Sequence, residues 1–114
     1  MIPFLDLKKI NSIYREELIS ACTEVIDSGW YIQGERVKKF EKQFSTYCGV
    51  DHCIGVASGL DALVLALRVW KDLEMLKSGD EVIVPANTYI ASILAITQNN
   101  LVPRFVEPDG DTLN

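Results

Sequence analysis

The chain has 114 residues, 48% of them apolar and 24% charged, and a net charge of −5 from 11 basic and 16 acidic side chains. That is the length of one ordinary domain, too apolar for general disorder, with no apolar run near the roughly 20 residues of a membrane-spanning helix. The acidic balance argues against a general nucleic-acid or anionic-membrane binder, and the opening MIPFLDLKK lacks the basic-then-apolar pattern of a secretion signal, so a cytoplasmic protein is expected.

In chain order, residues 3–7 read as an extended lead-in. Asn11 or Ser12 is a suitable N-cap for a helix running to about Ser28. Ile13, Leu18, Cys22, Val25 and Ile26 recur there at helical spacing, and Gly29 is a natural stop. A short aromatic loop, Trp30 to Gly34, leads to a second helix with Val37, Phe40, Phe44 and Tyr47 on one face and Lys38, Lys39, Glu41 and Lys42 on the other; Gly49 ends it. Residues 52–57 read as a short strand, and residues 60–73 as a helix. Ser78-Gly79-Asp80 is a turn, and residues 81–84 are a strand stopped by Pro85. Asn87 or Thr88 begins a helix through about Gln98, Asn99-Asn100 turns the chain, and residues 101–106 form a third strand. Strand-helix-strand-helix-strand predicts a parallel sheet with right-handed crossovers. The expected organisation is therefore a helical segment over residues 1–50 and a βαβαβ unit over residues 51–114.

Cysteine and histidine offer little chemistry. Cys22, Cys48 and Cys53 are odd in number and show no CxxC spacing, so three reduced, mostly buried thiols are expected. His52 is the single histidine, which leaves neither a zinc ligand set nor a nucleophile–base pair.

The helix from Leu60 to Trp70 is apolar on nearly every face, and Ile90 to Ile96 nearly so. Helices of that kind are buried on all sides. A fully buried Leu or Ile contributes roughly 1.5–3 kcal/mol, so leaving several in water would consume much of a domain's stability. More chain, or a partner subunit, is expected to cover them. The final stretch EPDGDTLN, a turn without a closing element, fits that expectation.

Two junctions carry the candidate chemistry. At Val56-Ala57-Ser58-Gly59-Leu60-Asp61 a strand runs through a Gly turn into a helix, whose free amides and positive dipole end suit a phosphate. Ser58 offers a hydroxyl, and Asp61 can cap or orient. It is neither a Walker A loop nor GxGxxG, and by spacing alone Ser58 and Gly59 read equally well as a plain turn. At Pro85-Ala86-Asn87-Thr88-Tyr89 a second strand meets a second helix. In open parallel sheets such loops lie at the carboxyl ends of strands, where ligands bind. Tyr89 there can stack on a flat heterocycle or simply cover the sheet edge.

Taken together, VASGLDALVLAL, SGDEVIVPANTYIASILAI and FVEPDGDT resemble the N-terminal half of the large domain of fold-type I pyridoxal-phosphate (PLP) aminotransferases. With the opening IPFLDLKKI and the stretch SGWYIQGERVKKFEKQFSTYCGV, essentially the whole chain resembles the DegT/DnrJ/EryC1/StrS family of sugar aminotransferases, most of all members that aminate dTDP-linked 3-keto-6-deoxyhexoses. The resemblance implies that Ser58, Gly59, Leu60 and Asp61 surround the PLP phosphate, with the amides of Gly59 and Leu60 as donors. Many relatives have Thr where this chain has Leu60, so a hydroxyl contact is lost here. Tyr89 matches the aromatic that stacks on the pyridine ring. Tyr31 and Gln33 fall in a segment near the substrate entrance. The implied partners are a nucleotide-sugar substrate, an amino donor (glutamate) and a second subunit in a homodimer.

The family's Schiff-base Lys and the Asp paired with the pyridinium nitrogen lie downstream of the region matched. None of the seven lysines, and neither Asp61 nor Asp80, stands in those positions, so this chain by itself is expected to be inactive. Two other readings of the same residues are a non-catalytic phosphate- or nucleotide-binding α/β module and a structural fragment that only pairs with another chain.

Overall fold

A computed structural model describes residues 3–112, which fall into two compact units divided between Gly55 and Val56. The first unit is helical: α1 (Leu7–Ile13), α2 (Arg15–Ser28) and α3 (Glu35–Cys48). The second holds α4 (Gly59–Asp72), β1 (Glu81–Pro85), α5 (Ile90–Gln98) and β2 (Val102–Val106).

The first helix begins earlier than the sequence suggests, and it is broken. Asp6 is the N-cap, its side chain accepting the Lys9 N–H at 2.9 Å. Ser12 does not cap, because its hydroxyl donates to the Lys9 carbonyl at 2.7 Å. The extended lead-in therefore ends at Asp6, and the helical path is interrupted at Tyr14 (φ −111°, ψ 18°). Gly29 and Gly49 end α2 and α3 as expected, at φ 64° and 68°. These are left-handed conformations that cost glycine nothing. On α3 the predicted aromatic face forms, with Phe40 and Phe44 stacked 5.4 Å apart and Tyr47 next to Phe44. All three rings are exposed.

Residues 52–57 form no strand, which corrects the sequence expectation of three. A strand exists only through its ladder, and β1 and β2 pair with each other alone among the described residues. The Gly55 amide, which a ladder would use, donates instead to Glu41 Oε1 at 2.7 Å. β1 and β2 are parallel, in register from Glu81 opposite Val102 to Pro85 opposite Val106. α5 is the crossover between them. It starts at Ile90 rather than Asn87 or Thr88, because the Thr88 N–H is spent on the Pro85 carbonyl at 3.1 Å and Tyr89 takes the N-cap position. Asn100 then takes φ 56°, with the Leu101 and Asn100 amides returning to Ile96 and Thr97. That is a Schellman stop, in which Asn serves nearly as well as Gly.

Val84, Ile96 and Leu101 are the buried cluster, with Leu67, Leu76 and Val82 packed against it. The sheet is covered on one face only: Val84 is 5% exposed and its neighbour Ile83 72%. Parallel sheets ordinarily carry layers on both faces. α4 has no buried residue, with Leu63, Leu65, Val69 and Trp70 all exposed. Cys22 and Cys48 are likewise exposed and Cys53 half-buried, so the expectation of mostly buried thiols does not hold in this chain, whose apolar faces are uncovered. Large apolar patches drive association. The isolated chain is therefore expected to self-associate; sedimentation that shows a cooperatively folded monomer at high concentration would contradict this.

Candidate functional site at the strand ends

Ser58 holds an extended backbone (φ −156°, ψ 166°) immediately before α4. Its carbonyl accepts the Ala62 N–H at 3.1 Å, the first intrahelical bond. Its Oγ accepts the Asp61 N–H at 3.2 Å, and its hydroxyl donates to Asp61 Oδ2 at 2.8 Å. Ser58 is thus the cap, and Asp61 orients it. The amides of Gly59 and Leu60 are left with no intrahelical acceptor. They sit at the positive end of a helix of 14 residues. A Cβ built on Gly59 meets nothing within 4 Å. Since Cβ atoms on a helix tilt toward its N-terminus, that position is the approach to the two amides. A phosphate monoester fits this arrangement, with Asp61 too negative to serve as one of its ligands.

The second loop leaves β1 at Pro85. Ala86 extends the ladder by donating to the Val106 carbonyl at 2.9 Å. Tyr89 is extended (φ −67°, ψ 143°), and its side chain is 80% exposed, leaving the ring available for stacking. Behind it Thr88 Oγ1 and Ser92 Oγ share a hydrogen bond of 2.9 Å, a contact the sequence reading missed although Thr and Ser four apart at a helix start are its signal.

Contacts at the opposite end bring the two loops to one edge. The Lys71 Nζ, in the last turn of α4, donates to the Asn99 carbonyl at the end of α5, at 2.6 Å. Nearer their starts Leu63 of α4 and Ser92 of α5 line one pocket, so the two helices run side by side in the same direction, with both N-termini toward the carboxyl edge of the sheet. Lys71 is committed to that far end, which accords with its exclusion as a Schiff-base lysine.

The loop with Tyr31 and Gln33 belongs to the first unit. Trp30 Nε1 donates to the Ile32 carbonyl at 2.7 Å, and Lys38 Nζ lies 5.8 Å from the Trp30 ring centroid. A Cβ on Gly34 would fall 2.9 Å from the Trp30 carbonyl oxygen, so only glycine fits there. Gln33 takes φ 52°, left-handed for a residue with a side chain, and Tyr31, Ile32 and Gln33 are all exposed. Such conformations gather at binding segments.

A parallel sheet with an open helix start and an exposed aromatic at its carboxyl edge is the architecture of the large domain of fold-type I PLP enzymes, and the solved structures that superpose on this chain are of that class. The chain belongs to the DegT/DnrJ/EryC1/StrS aminotransferase family, which its residues 12–114 match. It is 56% identical over its whole length to the dTDP-3-amino-3,6-dideoxy-alpha-D-galactopyranose transaminase of Aneurinibacillus thermoaerophilus, covering 30% of that protein. The crystal structure of DesV from S. venezuelae in complex with a ketimine intermediate superposes with a TM-score of 0.86 at 47% identity, over 96% of this chain and 29% of that one. GDP-4-keto-6-deoxy-D-mannose-3-dehydratase from E. coli with bound hydrated PLP gives 0.78 at 35% identity, over 84% and 25%. The chain thus spans about 30% of the length of the curated relatives it matches. Among the described residues no helix is long and apolar enough to cross a membrane.

Proposed function

We propose that this chain is the N-terminal portion of a PLP-dependent aminotransferase that moves an amino group from glutamate to a nucleotide-linked keto-deoxysugar, working as a cytoplasmic homodimer. The observation that carries the reading is the pair of unclaimed amides at Gly59 and Leu60, on the same sheet edge as the exposed ring of Tyr89. PLP, when bound, supplies the electron sink for the exchange of the amino group. Residues of this chain would hold it: Gly59 and Leu60 donate to the phosphate, Ser58 and Asp61 keep the helix start rigid, and Tyr89 stacks on the ring. Leu60 brings an amide but no hydroxyl to the phosphate. Tyr31 and Gln33 contact the sugar nucleotide. Residues 1–50 form a helical segment with this substrate loop, and residues 51–114 form the first part of the PLP-binding domain. The second subunit covers apolar faces that this chain leaves in water.

The chain by itself is expected to form no covalent link to PLP and to turn nothing over. Borohydride reduction with PLP should leave no stoichiometric adduct on any single lysine, whereas the full-length protein should give one such adduct and aminate a dTDP-linked 3-keto-6-deoxyhexose with glutamate. A site-specific adduct with turnover in the 114-residue chain, or no sugar amination by the full-length protein, overturns the reading.

A further inference from the structure

Asn99 is the one polar side chain buried in the second unit among the described residues, at 3% exposure. Burying an amide among aliphatic neighbours costs free energy unless its hydrogen bonds are made. Both N–H donors of the amide are satisfied here: Nδ2 donates to the Ala95 carbonyl at 2.9 Å and to the Val64 carbonyl at 3.1 Å. The Ala95 carbonyl would otherwise lack a partner, since the Asn99 N–H goes to Ile96 at 3.1 Å. The Val64 carbonyl belongs to α4, so the second bond ties one helix to the other. Lys71 completes the tie, its Nζ donating to the Asn99 carbonyl at 2.6 Å and to Ser78 Oγ at 3.1 Å. Among the described residues it pairs with no carboxylate. Its charge instead stands at the negative end of α5.

Elsewhere α4 and α5 bring together Leu63, Ala66, Leu67 and Trp70 with Ala95 and Ile96, which are apolar. Such packing is non-directional and tolerates small axial slides. Directional bonds to carbonyls on two helices remove that freedom. Each helix carries one candidate loop at its N-terminus, and a helix transmits an axial shift along its length undiminished. We propose that Asn99, supported by Lys71, is a positioning residue. It sets the offset of α4 against α5 and thereby the spacing between the Gly59 and Leu60 amides and the ring of Tyr89. The inference rests on reading those loops as the cofactor site.

The test uses the full-length protein and two probes, PLP followed by absorbance and inorganic phosphate as its competitor. PLP spans both loops, whereas phosphate needs only the two amides. Asn99→Asp keeps the volume but turns an oxygen toward two carbonyls; Lys71→Met keeps the stem but removes the donors. Each should weaken PLP about tenfold, the scale of one lost or misplaced hydrogen bond, while leaving phosphate affinity within about twofold of wild type. Lys71→Arg should restore PLP binding. Ile96→Val, a core change of similar cost to Tm that leaves the tie intact, should not alter either affinity. Equal weakening of both probes by Asn99→Asp and Lys71→Met, no weakening of PLP by either, or a matching loss in Ile96→Val would each overturn the proposal. A Gly59→Val protein that binds both probes normally would show that the cofactor-site reading itself is wrong, and the positioning role would fall with it.

Discussion

Gly59→Val in the full-length protein is expected to weaken PLP binding by about ten- to a hundredfold. Charge-assisted hydrogen bonds are worth about 1.5–3 kcal/mol each, and the new side chain displaces the phosphate from roughly one of them. Folding should survive. Gly59 does not need a positive φ, and its Cβ meets nothing within 4 Å. Valine in a helix is also no worse than the glycine it replaces. Tyr89→Ala provides the comparison: losing the stacked ring removes about 0.5–1.5 kcal/mol beyond its buried area, a smaller effect with another cause. Asp61→Asn should matter less than either, because Asp61 receives the Ser58 hydroxyl rather than the ligand. A PLP titration of the three variants, with folding checked by circular dichroism, ranks them. Unchanged affinity in both Gly59→Val and Tyr89→Ala would mean that these two loops share only a fold with the family's cofactor site.

Ile96→Ala is expected to carry the largest effect on stability. Ile96 is 3% exposed and meets Val84 and Leu101 in the one buried cluster of the second unit among the described residues. Removing a buried Ile side chain costs about 2–5 kcal/mol, which approaches the whole stability of a small domain. Denaturant unfolding of the chain should show the transition of the second unit lost or moved to far lower denaturant. At dilutions where the chain is monomeric, Ile83→Ala, on the uncovered face of the same strand, should leave that transition nearly where it was. If Ile83→Ala were as costly as Ile96→Ala in the isolated chain, the open face of the sheet would have to be covered in solution, and self-association would be the first explanation to test.

What the sequence determined alone is what depends on neighbours three or four residues apart. The junction at Ser58-Gly59 announces a helix start, although the sequence offered Asp61 as a cap and the folded chain uses Ser58, whose hydroxyl reaches the amide three residues on. Gly29 and Gly49 stop α2 and α3, and Asn100 turns the chain after α5, because each tolerates a left-handed backbone. The family was legible for a related reason: its motifs follow one another collinearly at these junctions, and backbone requirements at a strand end restrict the residue types allowed. Tertiary structure decided the rest. Residues 52–57 have strand composition but no strand, since a ladder needs a second chain segment beside it and composition does not supply one. The early start of α1 and the delayed start of α5 arose from local hydrogen bonds, Asp6 with Lys9 and Thr88 with Pro85, that equally plausible caps concealed. The tie from Asn99 to Val64 and Lys71 joins residues 35 and 28 positions apart, and nothing in the spacing of Asn99 distinguishes it from an ordinary turn residue. Its role follows only from the folded chain, where α4 and α5 lie side by side and an amide between them has two carbonyls to reach.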